Sequence, residues 1–304
     1  MSCSELLREF ALQPSLLNNW KDFRFYFDHF GIHRGRLISR FPKKWKRMVY
    51  ESVSSNVGEI DRKRIEERLK FIDDKMIRMN REYDGNQNWL QNAEQSYNVF
   101  PFHAIIASEN PDNHEYVLIS DNIDEQNTLW RVDTEFAVPR NPESLAVIVS
   151  QLFQISHEIF FIDPHFGPDA GRFRITLEHF LETAFRTGNH FSRIEFHLAA
   201  NATSEFFETE CNARLPHIIP DGIAVTFKRW RQLDQSERLH PRYILTDKGG
   251  FRFEGGLDAG AEGQTVDVSI LNPTLYQQRW ADYQTDTAAF EFVDKVEIIG
   301  TKRI

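Results

Sequence analysis

Hydrophobic residues in the first third of the chain recur at helical spacing. Five of them follow a four-three pattern between residues 59 and 83: Ile65, Leu69, Ile72, Met76 and Met79. This pattern predicts one amphipathic helix, and no strand-like alternation occurs before about residue 95. Such an apolar stripe either pairs two copies of the chain or packs against the chain's own core. Because the stripe is short for a coiled coil, packing within the chain is favoured.

The pattern changes after residue 98, where short β-type runs alternate with turn-rich segments up to about residue 140. These runs predict a hairpin or meander. From residue 142 onward, helices and strands are predicted to alternate, which is typical of an α/β fold with a layered sheet. The helices are expected at 142–156, 172–187, 202–214 and 273–290, and the strands include 158–163, 193–199 and 223–229. We therefore expect a helical N-terminal region, 1–95, that dimerises or contacts a partner or nucleic acid, and an α/β domain, 96–304.

Composition restricts the class of protein. With 304 residues, 41% hydrophobic and 27% charged, the chain is neither disordered nor collagenous nor a disulfide scaffold. No apolar run approaches the roughly 20 residues of a transmembrane helix, and the first residues lack a signal peptide pattern, so we expect a cytoplasmic protein. Cys3 and Cys211 have no zinc-binding spacing, and dinucleotide-binding, P-loop, nucleophile-elbow and metalloprotease motifs are missing. Neither a metal nor a cofactor is expected.

The net charge is −9, but positive charge is concentrated in one segment without acidic residues. Its seven cations are Arg34, Arg36, Arg40, Lys43, Lys44, Lys46 and Arg47. Phe41 and Trp45 lie among them, so the segment could hold the phosphates of nucleic acid while the rings stack on bases. The alternative is a charged surface that binds acidic groups of the same chain or of a partner protein.

The candidate chemistry lies between residues 238 and 260. His240, Arg242 and Asp247 are spaced as His-x-Arg-x4-Asp, with His240 and Arg242 on one face of a predicted strand and Asp247 at its end. A second strand returns to Gly255 and Gly256, whose missing side chains would let a ligand approach the backbone. An imidazole and a guanidinium on one strand face suit a phosphate pocket.

Three further residues are weighed with this motif. Glu254 either accepts a hydrogen bond from the His240 ring or is a solvated carboxylate. Asp163 and His165 follow a predicted strand at the edge where α/β sheets place their sites. They either contact phosphate, with His165 as a second acid, or serve only the following turn. For His197, a satisfied histidine in the core or at a sheet edge is the better interpretation.

The spacing resembles the phospholipase D superfamily, whose signature is His-x-Lys-x4-Asp followed by Gly-Ser-x-Asn. Arg242 stands in the place of the lysine, and Gly255-Gly256-Leu257-Asp258 stands where Gly-Ser-x-Asn is expected. Within that superfamily, residues 145–304 look most like the C-terminal domain found after microtubule-interacting-and-trafficking modules. The resemblance implies a layered mixed sheet flanked by helices.

The resemblance implies one of two functions. The catalytic members are metal-independent phosphodiesterases, here most consistent with a nuclease in which a homodimer brings two copies of His240 into one cleft. His240 would attack phosphorus or protonate the leaving group, and Arg242 would bind the phosphoryl oxygens. Asp247 would support the hairpin or orient its partners, with Asp163, Asp258, Gly255 and Gly256 near the substrate. The other branch is a non-catalytic module, or a subunit of a larger complex, that binds nucleic acid, a phospholipid headgroup or a partner protein.

Overall fold

The computed structural model describes residues 6–53, 57–186, 188–234, 238–284 and 289–303. The chain forms two compact units, one of Leu7–Thr134 and one that contains Glu135–Ile304. Each unit has one β-sheet and its own helices, so both belong to the α/β class. None of the described helices combines the length and apolar character that a bilayer span requires.

The N-terminal unit is built on a five-stranded sheet in the order β3-β2-β1-β4-β5, with every neighbouring pair parallel. Its strands are β1 (Arg8–Leu12), β2 (Arg36–Ser39), β3 (Met76–Ile77), β4 (Ala104–Ala107) and β5 (Val117–Ile119). Its helices are α1 (Trp20–His29), α2 (Trp45–Ser52), α3 (Glu59–Leu69) and α4 (Trp89–Val99). This strand order is that of a doubly wound sheet, which carries helices on both faces.

Both faces of this sheet are buried. Phe10 of β1 packs in a cluster with Phe23 of α1 and Trp45 of α2, whereas the next residue, Ala11, packs in a second cluster with Trp89 of α4. Strands buried on both faces carry continuous apolar runs without alternation. That pattern explains why the sequence did not reveal them.

The prediction of a helical region over residues 1–95 is therefore wrong. β1 and β2 are only five and four residues long and lack the period-two signal of a half-buried strand. The helix predicted over residues 59–83 ends at Leu69, and the chain continues as a 3-10 turn, Ile72–Lys75, into β3. The apolar stripe packs in the core of its own unit, as the favoured interpretation expected.

The predicted boundary near residue 95 also differs from the structure. The predicted meander is instead divided between the two sheets, since β4 and β5 pair in parallel in the N-terminal sheet while β6 (Glu135–Pro139) joins the other. The units meet in sequence between Thr134 and Glu135. The turn-rich segments around β5 look locally like the turns of a β-hairpin. A meander and two separate sheets differ only in which strands pair, and β6 pairs with β12, which is far away in sequence.

The C-terminal unit has an eight-stranded mixed sheet in the order β13-β9-β8-β7-β10-β11-β12-β6. Its further strands are β7 (Glu158–Ile162), β8 (Arg193–Ala199), β9 (Ala224–Arg231), β10 (Arg242–Thr246), β11 (Gly250–Phe253), β12 (Thr265–Ile270) and β13 (Glu291–Ile299). Its helices are α5 (Pro142–Gln154), α6 (Gly171–Arg186), α7 (Ser204–Arg214) and α8 (Pro273–Asp282). β7, β8 and β9 run parallel, and the remaining pairs are antiparallel.

Aromatic residues fill one face of this sheet. Phe161 of β7 contacts Phe153 of α5, Phe180 of α6 and Phe196 of β8, with ring centroids 5.4–6.1 Å apart. The opposite face, which includes Phe160, packs against α8. Helices thus cover both faces of the sheet, and the ends of its strands are left for a site.

The predicted alternation of helices and strands after residue 142 is confirmed in the described residues. The predicted helix 172–187 ends at Arg186, and Thr187 lies outside the described residues. The predicted helix 273–290 ends at Asp282, and 285–288 lie outside the described residues, as does Cys3. Cys211 is buried and not in a disulfide.

His103, which precedes β4, is expected to make the N-terminal unit sensitive to acid. Burial lowers the pKa of His103 to about 4, with Arg8 and Arg36 acting in the same direction and a hydrogen bond to the Leu129 carbonyl opposing them. The unfolded chain binds this proton near the ordinary pKa of about 6.5. The contribution of neutral His103 to the free energy of unfolding is therefore fully present above that pH and is lost as pH falls towards 4. The expected loss is at most about 1.4 kcal/mol per pH unit.

Chemical denaturation between pH 7 and 4 measures this effect. His103→Gln should flatten the pH dependence relative to the unsubstituted protein, whereas His217→Gln, which removes an exposed histidine without a described side-chain contact, should leave it unchanged. Equal slopes for the unsubstituted protein and His103→Gln would show that His103 does not control acid stability.

Candidate active site

One edge of the C-terminal sheet brings the candidate residues together. β7 is antiparallel to β10, with Ile162 opposite Tyr243, and β10 is antiparallel to β11, with Arg242 opposite Phe253. The end of β7, the start of β10 and the end of β11 therefore lie side by side. This is the edge at which the parallel strands of this sheet present their carboxyl ends, where α/β folds commonly bind ligands.

Asp163 organises this edge. Its carboxylate is fully buried and accepts two backbone hydrogen bonds, from His165 N to Oδ1 at 2.9 Å and from Leu257 N to Oδ2 at 2.7 Å. Burial raises the pKa of Asp163, while the two amides and Arg242 favour its charged form. The side chain thus ties the turn after β7 to the turn after β11, which is the turn-forming role that the sequence allowed.

Arg242 faces this carboxylate without pairing closely to it. Its Nε lies 3.9 Å from Asp163 Oδ1, and the side chain is 16% exposed. Among the described residues, no hydrogen-bond acceptor reaches this buried Nε. An unsatisfied buried donor is costly, so Arg242 is available to an anionic ligand that supplies the missing acceptor.

His165 and His240 meet above Arg242 and Asp163. Both residues are exposed, and their rings are edge to face with centroids 6.1 Å apart. His165 comes from the turn that Asp163 fixes, and His240 lies two residues before β10. The structure therefore places in one chain two neighbouring imidazoles that solvent can reach.

The Gly-Gly-Leu-Asp turn serves a different purpose from the expected one. Asp258 is buried between two arginines, pairing with Arg140 from the end of β6 and with Arg172 Nε of α6 at 2.9 Å. A Cβ on Gly256 would collide with Asp258 Oδ1 and lie 3.0 Å from Arg140 Nη2, and one on Gly255 would lie 3.1 Å from Val266 Cγ2. These glycines make room for side chains of the same unit and not for a ligand at the backbone.

Asp247 lies away from the two histidines, at the opposite end of β10. Its Oδ1 accepts hydrogen bonds from His157 N at 2.7 Å and Glu158 N at 3.1 Å, so it holds the start of β7. A catalytic role by direct contact does not fit this position, whereas the supporting role that the motif allowed does.

Glu254 is exposed and pairs with Arg252. Among the described contacts it makes no hydrogen bond to His240, so the orientation of that ring by Glu254 is not observed. His197 is fully buried, accepts a hydrogen bond from Trp230 Nε1 at 3.0 Å and lies 3.1 Å from Glu195. It is the core histidine that the sequence favoured.

The basic segment of residues 34–47 does not form the expected aromatic and cationic surface. Phe41 and Trp45 are buried and cannot stack on bases. Arg36 is buried as well, donating to the Trp130 carbonyl at 2.9 Å and lying over the Trp130 ring. Arg36 lies in β2, whose four residues are all buried, and Trp45 lies on the buried face of α2. The composition of the segment does not reveal these positions.

The other cations of this segment divide into two groups. Lys46 pairs with Asp73, Arg47 pairs with Glu51, and Arg40 Nε donates to a backbone carbonyl at 3.4 Å. Three residues are exposed and make no described side-chain contact: Arg34, Lys43 and Lys44. Any nucleic-acid contact by this segment therefore depends chiefly on these three.

Sequence reasoning missed Arg140 and Arg172. Each is one arginine among many, and only their convergence on Asp258 distinguishes them. The two glycines at 255 and 256 were a signal of close approach, but the approaching group is a side chain of the same unit.

Comparisons with known proteins add little. No family model matches the sequence, and no curated protein does. Among solved structures, TrmBL2, an archaeal chromatin protein whose structure shows a novel mode of DNA binding, is 12% identical, with a TM-score of 0.28. The match covers 56% of this chain and 57% of that chain, so this chain spans little more than half the length of that neighbour. A TM-score this low does not establish a shared fold.

Asp258 is expected to be important for the stability of this edge. Asp258→Ala removes the shared partner of Arg140 and Arg172, and we expect the free energy of unfolding to fall by about 2–4 kcal/mol because a largely buried guanidinium loses its counterion. Thermal and urea denaturation of the full chain measure the loss.

The matched control is Glu254→Ala, which breaks the exposed pair with Arg252 on the neighbouring strand end. Exposed pairs contribute about 0–1 kcal/mol, so this variant should unfold much like the unsubstituted protein. Similar losses for the two variants would contradict the structural role of Asp258.

Proposed function

We propose that the C-terminal unit is a phospholipase D-like, metal-independent phosphodiesterase in which His165 and His240 of one chain act on the same phosphorus atom. The observation that carries the proposal is the 6.1 Å separation of the two rings beside Arg242, whose buried Nε has no acceptor among the described residues. The mixed sheet with helices on both faces supports the assignment, as does the His-x-Arg-x4-Asp spacing at a strand that begins at the site.

The ring separation suits in-line displacement. One imidazole nitrogen must approach phosphorus to about 3–3.5 Å, and the other must lie about 2.6–3.2 Å from the leaving oxygen on the opposite side. Together with the bond to the leaving oxygen, these distances place the two nitrogens roughly 6–8 Å apart. Rings with centroids 6.1 Å apart can present nitrogens in this range without movement of the backbone.

The proposed reaction has two steps. A nitrogen of His240 forms a bond to phosphorus while the bond to the leaving oxygen breaks, and His165 gives that oxygen a proton. His165 then takes a proton from water, the water oxygen bonds to phosphorus, and the bond to His240 breaks. Arg242 holds the non-bridging oxygens, on which negative charge accumulates in both steps.

Asp163 positions these groups without entering the reaction. Its hydrogen bond to His165 N fixes the turn that carries one imidazole, and its charge draws Arg242 towards the other. Because His165 supplies the second imidazole, this arrangement needs no second copy of the chain. The homodimer that pairs two copies of His240 is the alternative way to bring two imidazoles together.

The favoured substrate is a nucleic acid. The side chain of Arg172 is 62% exposed beside the site, and the N-terminal unit presents exposed cations at Arg34, Lys43 and Lys44. Against a net charge of −9, such isolated cations favour a polyanion that touches the protein at a few points.

A second function is favoured by the Gly-Gly-Leu-Asp turn. Asp258 pairs with Arg140 and Arg172, and the two glycines lie against side chains of the same unit. A turn that resembles the catalytic signature therefore has a structural role. Arginine in the place of lysine also changes the geometry of phosphate contact. The same pocket would then bind a phosphorylated ligand without turning it over.

Cleavage of labelled DNA and RNA oligonucleotides in EDTA tests the first function. His240→Ala should abolish cleavage, and His165→Ala should slow it at least about 100-fold, since general acid catalysis contributes about that much or more. His217→Ala, which removes an exposed histidine of the same unit, should cleave normally. Cleavage that EDTA abolishes, or that His165→Ala leaves unchanged, would contradict the mechanism.

Binding of the same oligonucleotides at two salt concentrations separates the second function from the first. For a recognition module, we expect salt-sensitive binding without cleavage that persists in His240→Ala and weakens at least about tenfold in Arg242→Met, because the charged donor is lost. Arg242→Lys should bind more tightly than Arg242→Met. Equal binding by Arg242→Met and the unsubstituted protein would exclude Arg242 as the phosphate contact.

A further inference from the structure

Glu94 of α4 is a buried carboxylate in the N-terminal unit, and one of its oxygens accepts no hydrogen bond from the described residues. The residue is 9% exposed, and among the described residues no donor reaches its buried Oε1. Burial raises the pKa of Glu94, Asp112 adds to the rise, and His114 opposes it. A buried carboxylate needs a hydrogen-bond donor or a cation to compensate for lost hydration.

Two further ligand-type side chains approach Glu94 from the loop between β4 and β5. His114 Nε2 lies 3.9 Å from Glu94 Oε1, and Asp112 offers a carboxylate oxygen such that the three ligand atoms lie within 4.8 Å of one another. Glu94 precedes Asp112 by 18 residues and His114 by 20, so the fold and not local spacing creates the cluster.

The loop is held in shape independently of the cluster. Asn110 Oδ1 accepts a hydrogen bond from His114 N at 2.9 Å, and Asn110 Nδ2 donates to the His114 carbonyl at 2.9 Å. Asn113 adopts a left-handed conformation, with φ of 54°, between the two ligand residues. The backbone that carries Asp112 and His114 is therefore preformed.

Stacked aromatic rings orient the imidazole. His114 lies on Tyr116 with ring centroids 4.9 Å apart, and Tyr116 lies on Tyr97 at 3.7 Å, both nearly parallel. This stack fixes the plane of the His114 ring, so that Nε2 points towards Glu94. A ligand with a fixed orientation loses less conformational entropy when it binds a metal.

We propose that Glu94, Asp112 and His114 bind a divalent transition-metal cation of the Zn²⁺ type. Bonds of about 2.0–2.1 Å in tetrahedral geometry place ligand atoms about 3.3 Å apart. The observed separations reach this value by small rotations of side chains, above all of the exposed Asp112. The cation supplies the positive charge that Glu94 lacks.

The donor set selects this class of cation. One imidazole and two carboxylates suit zinc and its neighbours, whereas Ca²⁺ takes six to eight oxygen ligands and Mg²⁺ prefers oxygen in an octahedron. Three protein ligands leave at least one position for water or another donor. Because the cluster lies in the N-terminal unit, its occupancy is separate from cleavage by the C-terminal unit.

Calorimetric titration of chelator-treated full-length protein with ZnCl2 tests the site. We expect saturable binding of about one Zn²⁺, and Glu94→Gln, Asp112→Asn and His114→Ala should each weaken it at least about tenfold. Glu115→Gln is the matched control, because it removes a charge from an exposed carboxylate on the same loop outside the cluster. It should bind Zn²⁺ normally, and CaCl2 and MgCl2 should bind far more weakly.

Thermal denaturation gives a second measurement. Zn²⁺ should raise the Tm of the unsubstituted protein and of Glu115→Gln more than that of Asp112→Asn, because a ligand stabilises the folded state more when it binds that state more tightly. Asp112 is exposed, so this variant should fold even if Glu94→Gln does not. No saturable binding, or equal loss in Asp112→Asn and Glu115→Gln, would overturn the proposal in favour of a simple Glu94 and His114 ion pair.

Discussion

The candidate site of the C-terminal unit depends on one buried carboxylate. Asp163 has no exposed surface, yet it links three segments by accepting the amides of His165 and Leu257 and by facing Arg242. An isolated buried charge is costly, and these contacts compensate for it only when all three segments are in place. The position of each chemical group at this edge therefore depends on the others. The two hydrogen bonds and the nearby guanidinium together offset the cost of burying Asp163.

The charged side chains of this sheet are of two kinds, those that pair within the protein and those that can contact a ligand. Arg140 and Arg172 are engaged by Asp258, and Asp247 holds the far end of the sheet, so these side chains stabilise the unit. Arg242 is different, because no acceptor in the described part of the chain reaches its buried Nε, and the two histidines beside it are exposed. Groups that are oriented but not satisfied within the protein are the ones that a phosphate can engage.

Hydrophobic periodicity in the sequence predicted the helices and strands that local geometry determines. The alternation of helices and strands after residue 142 follows from periodicity alone. The shared strand face expected for His240 and Arg242 is not observed, because β10 begins at Arg242 and His240 lies two residues before it. The approach of His165 to His240 depends on the pairing of β7 with β10, and the pairing of Arg140 with Asp258 joins residues 118 apart. Neither is encoded in spacing. β1 and β2 escaped prediction because a sheet buried on both faces leaves no alternation to read, and the basic segment misled because charge along a chain does not show which side chains point inward.

The central claim is that His165 and His240 of one chain bind opposite sides of the same phosphoryl group, with Arg242 on its oxygens. A crystal structure of the full chain with orthovanadate, which adopts the trigonal-bipyramidal geometry of phosphoryl transfer, tests this claim most directly. The account predicts one vanadate between the two imidazoles of a single chain, with Arg242 Nε within hydrogen-bond distance of an equatorial oxygen. Vanadate bound elsewhere, or between His240 residues of two chains with His165 turned away, would contradict it.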